Sequence, residues 1–143
     1  GWKDLDFIIV DMPPGTGDTQ LTFSQEIKMD GAIIVSTPQE VALLDVKRGI
    51  KMFDKLGVKI LGLVDNMSYF TGDDGKKYKI FGEGGVKKTA EEFGKKFMGE
   101  IPINPEVGKC GDDGKPIVEA NPDHEISKIY LNFAQTVKST FLK

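Results

Sequence analysis

The chain has 143 residues, 39% of them hydrophobic and 29% charged, with a formal net charge of −3 at pH 7, which describes one ordinary globular domain able to bury a core unaided. The acidic balance argues against a nucleic-acid surface. The lone Cys110 excludes an internal disulfide and any metal site built from several thiolates of one chain, and no apolar run approaches the roughly 18–20 residues that span a bilayer. The opening Gly1-Trp2-Lys3-Asp4 resembles neither a secretory signal nor a transit peptide, so a cytoplasmic protein is expected. No initiator methionine is present, and the chain reads as a piece of something longer.

The most informative stretch comes first. Residues 5–10 form an apolar run that predicts a strand buried on both faces, as in parallel sheets. It delivers Asp11 to a loop of Pro13, Pro14, Gly15 and Gly17 that cannot continue the strand. A carboxylate at a strand end before a mobile glycine-rich loop suits a site that holds Mg²⁺ and senses a terminal phosphate. Residues 19–27, with Leu21, Phe23 and Ile27, predict a short helix after the loop, with Thr19 or Asp18 as its N-cap. Residues 31–35 predict a second buried strand, ending at Ser36-Thr37-Pro38.

Residues 39–56 place Val41, Leu44, Val46, Ile50, Phe53 and Leu56 on a helical stripe that Gly57 ends. Residues 58–64 predict a third strand with Asp65-Asn66 at its end, followed by a long exposed loop over 69–85. A helix over 86–97, with Ala90 and Phe93 inward, leads to a fourth strand over 97–101 that Pro102 stops. Residues 104–114 read as irregular, and the last helix is expected from about 123 to 141. Strands alternating with helices imply an α/β fold, a parallel sheet covered on both sides. Ligands of such sheets sit outside the carboxyl ends of the strands, where Asp11, Thr37, Asn66 and Pro102 are all expected.

The run Asp11-Met-Pro-Pro-Gly-Thr-Gly-Asp18 resembles the switch II segment of the Mrp-type P-loop ATPases. These are relatives of MinD and of the nitrogenase iron protein, often described as iron–sulfur cluster carriers. The resemblance continues through Ser36-Thr-Pro-Gln39, Ala42-Leu43 and Asp45, Asn66-Met-Ser-Tyr-Phe70, Ile80-Phe-Gly-Glu-Gly-Gly85, Gly99-Glu-Ile-Pro-Ile-Asn-Pro105 and Gly114-Lys-Pro-Ile117. It implies a three-layer, parallel-sheet P-loop NTPase-like fold, incomplete at its N-terminal side, with residues 1–143 as a single domain. It also implies roles. Asp11 matches the acid that holds Mg²⁺, usually through a coordinated water, and Gly15, Thr16 and Gly17 match the loop that rearranges around the γ-phosphate of ATP. Asn66 matches the residue whose amide reads the adenine edge, and Pro102 and Ile103 match the segment lining the adenine pocket. Asp18 either polarises the attacking water or caps the next helix.

Two departures from the family pattern stand out. The phosphate-binding loop, Gly-x-x-x-x-Gly-Lys-Ser/Thr, is absent, and Gly82-Glu-Gly-Gly85 followed by Lys87-Lys88 has the wrong spacing. The family's loop lies upstream of switch II, so the chain matches the C-terminal portion of such an ATPase and is expected to bind ATP weakly or not at all. In this fold the phosphate-loop strand neighbours the strand ending at Asp11, so its loss leaves sheet edges open and self-association, as a homodimer or otherwise, is expected. The second departure is at Gly72 and Gly75, where many members carry Cys-Pro-x-Cys whose thiolates hold a bridging 4Fe–4S cluster between subunits. Glycine has no ligand, and a cluster held in this way is doubtful here. Cys110 reads as an idle thiol and His124 as a surface residue. The resemblance implies an ATP-hydrolysing switch in iron–sulfur cluster assembly or transfer, with iron–sulfur client proteins as partners and neither nucleic acid nor membrane. The alternatives are a MinD-like positioning scaffold, which the short, mildly charged tail 138–143 disfavours, and a non-enzymatic interaction remnant.

Overall fold

A computed structural model describes residues 3–142; the readings that touch Gly1, Trp2 and Lys143 lie outside the described residues. Helices and strands follow in the order α1 (Asp18–Glu26), β1 (Ala32–Ser36), α2 (Glu40–Leu56), β2 (Ile60–Thr71), β3 (Lys77–Tyr78), α3 (Gly85–Glu92), β4 (Phe97–Ile103), α4 (Pro105–Asp112), α5 (Ile117–Ala120) and α6 (Glu125–Phe141). β2 is the spine. β1 and β4 pair parallel to it on either side, and β3 pairs antiparallel to its far end. Phe70 pairs with both Tyr78 and Ile103, so β3 takes the edge of β2 that β1 leaves free beyond Ser36.

Alternation along β2 sends neighbouring side chains to opposite faces, and each face carries its own core. Leu63 packs with Val46 and Ile50 of α2 and with Val86 and Ala90 of α3. Val64 packs with Ile101 of β4, Ile117 of α5 and Ile126 of α6. Helices on both faces of a mostly parallel sheet give the expected three layers. Two cross-links fix the helices: Lys95 Nζ lies 2.6 Å from Asp54 Oδ1, and the buried Ser127 hydroxyl donates to the Ile117 and Asn121 carbonyls at 3.1 and 2.6 Å. Gly57 ends α2 at φ 69, the left-handed C-cap that glycine adopts without steric cost.

Several expectations fail for identifiable reasons. Residues 5–10 form no strand, and Leu5, Ile8, Ile9 and Val10 are exposed. A strand needs a partner, and none of the described residues hydrogen-bonds the backbone of this run. β1 is covered on one face only, since Ile34 packs on the α2 side while Ile33 and Val35 are exposed. Val41 and Leu44 of α2 likewise face solvent. In α1 the buried side chains are Gln20 and Ser24, with Ile27 exposed.

β2 runs through Asp65-Asn66 to Thr71, so the expected loop begins as a hairpin: Thr71 pairs with Lys77. α3 stops at Glu92, short of 97, because Gly94 takes φ 62. β4 continues through Pro102, which an edge strand tolerates because only one of its sides is paired. Residues 105–112 are helical, with Pro105 at the first turn and the Asn104 side chain accepting from the Glu106 N–H at 2.8 Å. His124 is the N-cap of α6, its Nδ1 accepting from the Ile126 N–H at 3.1 Å.

Candidate functional site

The carboxyl edge of the parallel sheet is where the candidate residues gather. Register aligns Ser36 with Asp65 and Asp65 with Glu100, and one residue further aligns Asn66 with Ile101. Asp65 therefore faces the α2/α3 layer, and Asn66, with Val64, faces the α5/α6 layer. The ladder then breaks: Asn66 opposes Ile101 while Phe70 opposes Ile103, so β2 fits two extra residues between them. Met67 absorbs this bulge with φ 53, a left-handed conformation that is uncommon for a non-glycine residue. Ser68 locks it, its buried hydroxyl donating to the Ile101 carbonyl at 3.3 Å. A bulge directly after Asn66 re-aims the strand end at the point where the ligand face begins.

Asn66, Pro102 and Ile103 are brought together on β2 and β4. Asn66 is half-buried, and its amide has no hydrogen-bond partner among the described residues. A free donor and acceptor on one amide fit the edge of an adenine ring. Asp11, Gly15, Thr16 and Gly17 lie in the segment that leads into α1, and Asp18 is its first residue. Asp11 is exposed, and no hydrogen bond or ion pair among the described residues joins this group to Asn66. The turn is held by Gln20, whose amide donates to the Pro13 and Pro14 carbonyls at 3.2 and 2.7 Å. Neither Asp18 nor Thr19 caps α1: the N-cap is Gly17, and Asp18 is the first helical residue, its charge in the electropositive first turn.

The fit to a nucleotide is thus partial. The open Asn66 amide is chemically suited to a base edge and Asp11 offers one exposed carboxylate, but no segment among the described residues carries the Gly-x-x-x-x-Gly-Lys-Ser/Thr pattern of a phosphate cradle. Gly82 and Gly85 do not supply it. They let the turn before α3 close on Pro38, since a Cβ on Gly82 would stand 3.2 Å from the Pro38 carbonyl oxygen and one on Gly85 3.0 Å from it. The hairpin tip does not fit an iron–sulfur cluster. Asp74 staples it, accepting from the Tyr78 hydroxyl at 2.7 Å and from the Lys76 N–H at 3.0 Å, and the Tyr78 bond is the main reason its carboxyl sits below the usual range. Gly72 and Gly75 carry no thiolate, and no group of three or more His, Cys, Asp or Glu among the described residues is placed to hold a metal.

Sequence reasoning missed the most strongly perturbed group among the described residues. Asp65 is 1% exposed and its Oδ1 lacks a hydrogen-bond partner. Burial raises its pKa from 3.8 to about 6; the Glu100 charge adds to the rise and Lys79 opposes it. Lys79 Nζ, at the base of the hairpin, lies 3.2 Å from Glu83 and 3.9 Å from Glu100. The available signal was an acid inside the strand run, read instead as a strand end.

A parallel sheet with helices on both faces, an asparagine and an X-Pro-X segment at its carboxyl edge, and a proline–glycine turn after an aspartate define a P-loop NTPase-like fold. A solved structure agrees: an Archaeoglobus fulgidus nucleotide-binding protein in complex with ADP matches with a TM-score of 0.65 and 40% identity over 73% of this chain and 43% of that one. Pyrococcus furiosus cell division ATPase MinD matches in fold, with a TM-score of 0.60 at 20% identity over 78% of this chain and 43% of that one. The chain belongs to the NUBPL iron-transfer P-loop NTPase family (ParA), whose pattern matches residues 1–138. Among curated relatives, it is 46% identical to the iron–sulfur cluster carrier protein of Aquifex aeolicus over 95% of this chain and 38% of that protein. It is 50% identical to a mitochondrial iron–sulfur protein required for NADH dehydrogenase from Arabidopsis thaliana over 95% of this chain and 44% of that one. It thus spans less than half the length of these relatives. No helix among the described residues is long and apolar enough to cross a membrane.

Proposed function

We propose that residues 1–143 form a single domain, the adenine- and magnesium-side part of an ATP-binding, ATP-hydrolysing switch that acts in iron–sulfur cluster assembly or transfer in the cytoplasm. The observation that carries this reading is Asn66, its amide unengaged at a strand bulge beside Pro102 and Ile103, in a chain of the iron-transfer family. Asn66 reads the adenine edge, and the backbone of Pro102 and Ile103 forms one wall of the base site. Asp11 would be the carboxylate that holds Mg²⁺, which would neutralise phosphate charge there, and Gly15, Thr16 and Gly17 provide the backbone freedom to rearrange about a terminal phosphate. Asp18 adds negative charge to the first turn of α1 and orients that loop. Bound ATP supplies the phosphoryl group whose loss the loop detects; positioning and charge, not covalent chemistry by the protein, carry such a reaction.

The cluster is cargo delivered to iron–sulfur client proteins. Its thiolates do not come from the hairpin, which presents Gly72 and Gly75 where many family members carry cysteine. The protein works as a homodimer, and this chain self-associates.

The test is amide-resolved NMR of the chain titrated with ATP and Mg²⁺. Shifts are expected at Asn66, Ile101 and Ile103, with a Kd of about 1 mM or weaker because the phosphate cradle is missing, and they are expected to vanish in Asn66→Ala. Hydrolysis by the chain alone should be undetectable. Shifts confined to other residues would refute the base site. A micromolar affinity would refute the account of the missing cradle.

A further inference from the structure

Four charged side chains meet at the carboxyl edge of the sheet, and their charges do not balance. Register sets Ser36, Asp65 and Glu100 side by side across β1, β2 and β4. Asp65, in the middle, is fully buried, so the chain's own residues enclose it. Neither strand neighbour offers it a hydrogen: Ser36 spends its hydroxyl proton on the Thr37 carbonyl at 2.9 Å, and Glu100 is an acid. Asp65 Oδ1 is left without a partner. The charges that face Asp65 are Glu100, from β4, and Lys79, from the hairpin base; among the described residues α2 and α3 add none. Lys79 itself is engaged elsewhere, 3.2 Å from Glu83 and 3.9 Å from Glu100. Three carboxyls share one ammonium, which leaves room for one proton, and the enclosed carboxyl is the one whose ionisation costs most.

The ammonium is placed to move. Lys79 directly follows β3, and its carbonyl accepts from the Gly82 N–H at 3.4 Å in the turn that leads to α3. Its partner Glu83 is 77% exposed, so that ion pair is screened by solvent and weak. A charge on the buried Asp65 has neither solvent nor donor to offset it, so its pull on Lys79 exceeds that of Glu83.

We propose that Asp65, Lys79, Glu83 and Glu100 form a proton-operated latch between the strand that carries Asn66 and the β2–β3 hairpin. With Asp65 protonated, Lys79 rests on Glu83, the arrangement in the structure. When Asp65 gives its proton to solvent, Lys79 leaves Glu83 for Asp65 and Glu100, and the hairpin base is drawn toward the sheet. Asp65 adjoins Asn66 and the bulge at Met67, so one proton is felt at both the strand end and the hairpin. The latch involves no nucleotide and stands apart from the reading of Asn66 as a base site.

NMR of the chain without nucleotide, from about pH 4.5 to 8, tests it. The Asp65 carboxyl carbon should titrate with a midpoint at about 6, and the backbone amides of Tyr78, Lys79, Gly82 and Glu83 should shift with the same midpoint. In Asp65→Asn that step should vanish from these amides. In Lys79→Met the Asp65 step should persist at a higher midpoint, while the shifts at Tyr78 and Gly82 are lost; the bare field of a new charge would leave them in place. Glu83→Gln, at an exposed position, should lower the Asp65 midpoint, because Lys79 is then free to serve it. An Asp65 that titrates with no matching step at the hairpin overturns the latch. So does a hairpin step that survives in Asp65→Asn or is unchanged in Lys79→Met, and so does an Asp65 that does not titrate in this range.

Discussion

Asp65→Asn should stabilise the protein at neutral pH, although it removes a charge and creates no contact. The carboxyl sits at about 6 in the fold against 3.8 for the ordinary group, with burial as the main cause. Below pH 3.8 the group is protonated in both folded and unfolded chains and contributes nothing to the difference. As pH rises through 3.8 the unfolded chain ionises first, and the folded state loses relative stability until pH passes about 6. Above that the ionised folded state carries a penalty of about 3 kcal/mol at most. Asparagine has the same shape and no charge to desolvate, so the penalty goes with it. Urea unfolding of both chains at matched concentration, from pH 4.5 to 8, reads the effect as a difference. The variant's advantage should grow from about 1 kcal/mol at pH 4.5 to at most about 3 kcal/mol at pH 7.5. Because every other titrating group is shared, the difference isolates Asp65. A variant less stable than the parent at pH 7.5, or an advantage that does not change with pH, would refute the account. Lys79→Met should steepen the parent's pH dependence, because Lys79 is the group that holds the carboxyl down.

Substitutions at four further positions test the packing that frames the site, each read from the urea midpoint. Gly85→Ala should cost about 1–3 kcal/mol, because the new Cβ meets Leu43 Cδ1 at 2.6 Å and the Pro38 carbonyl oxygen at 3.0 Å; Gly108→Ala, inside α4 with nothing within reach, should gain about 0.5–1 kcal/mol. Asn104→Ala removes the acceptor for the Glu106 N–H and should cost about 1 kcal/mol, while Asn104→Ser should restore most of it. Ile50→Ala empties a fully buried position between α2 and the sheet and should cost about 2–5 kcal/mol.

What was legible in the sequence was local or strongly periodic. α2 announced itself by its stripe and by Gly57, and the core positions Val46, Ile50 and Phe53 followed from spacing alone. The proline–glycine octet and the Asn66 segment pointed to the family, and the family pattern matches residues 1–138. α4 was missed because its two glycines, Gly108 and Gly111, dilute the helical pattern. The decisive signals were smaller: Asn104 and Pro105, a capping side chain and a first-turn proline, which together mark a helix start. The hairpin of β2 and β3 was missed because its ladder is two residue pairs long and its stability lies in side chains, Asp74 on Tyr78, that no periodicity records.

The failure at residues 5–10 is of another kind. A helix satisfies its own backbone, so its pattern is evidence for its presence. A strand satisfies its backbone only through a neighbour, so an apolar run states a propensity and leaves the pairing to the rest of the fold. Residues 33–35 and residues 7–10 are equally β-prone by composition. The first became a strand because β2 lies beside it in register from Ala32 to Ser36; the second did not, because none of the described residues offers it an edge. The same argument bears on Asp11. Its position at the end of a strand is conditional on that strand's having a partner, so whatever segment pairs with residues 5–10 also fixes where the Asp11 carboxylate points. The pairing and that carboxylate are then coupled through six residues of backbone, and a substitution such as Ile9→Lys that weakens the pairing should displace Asp11 as well.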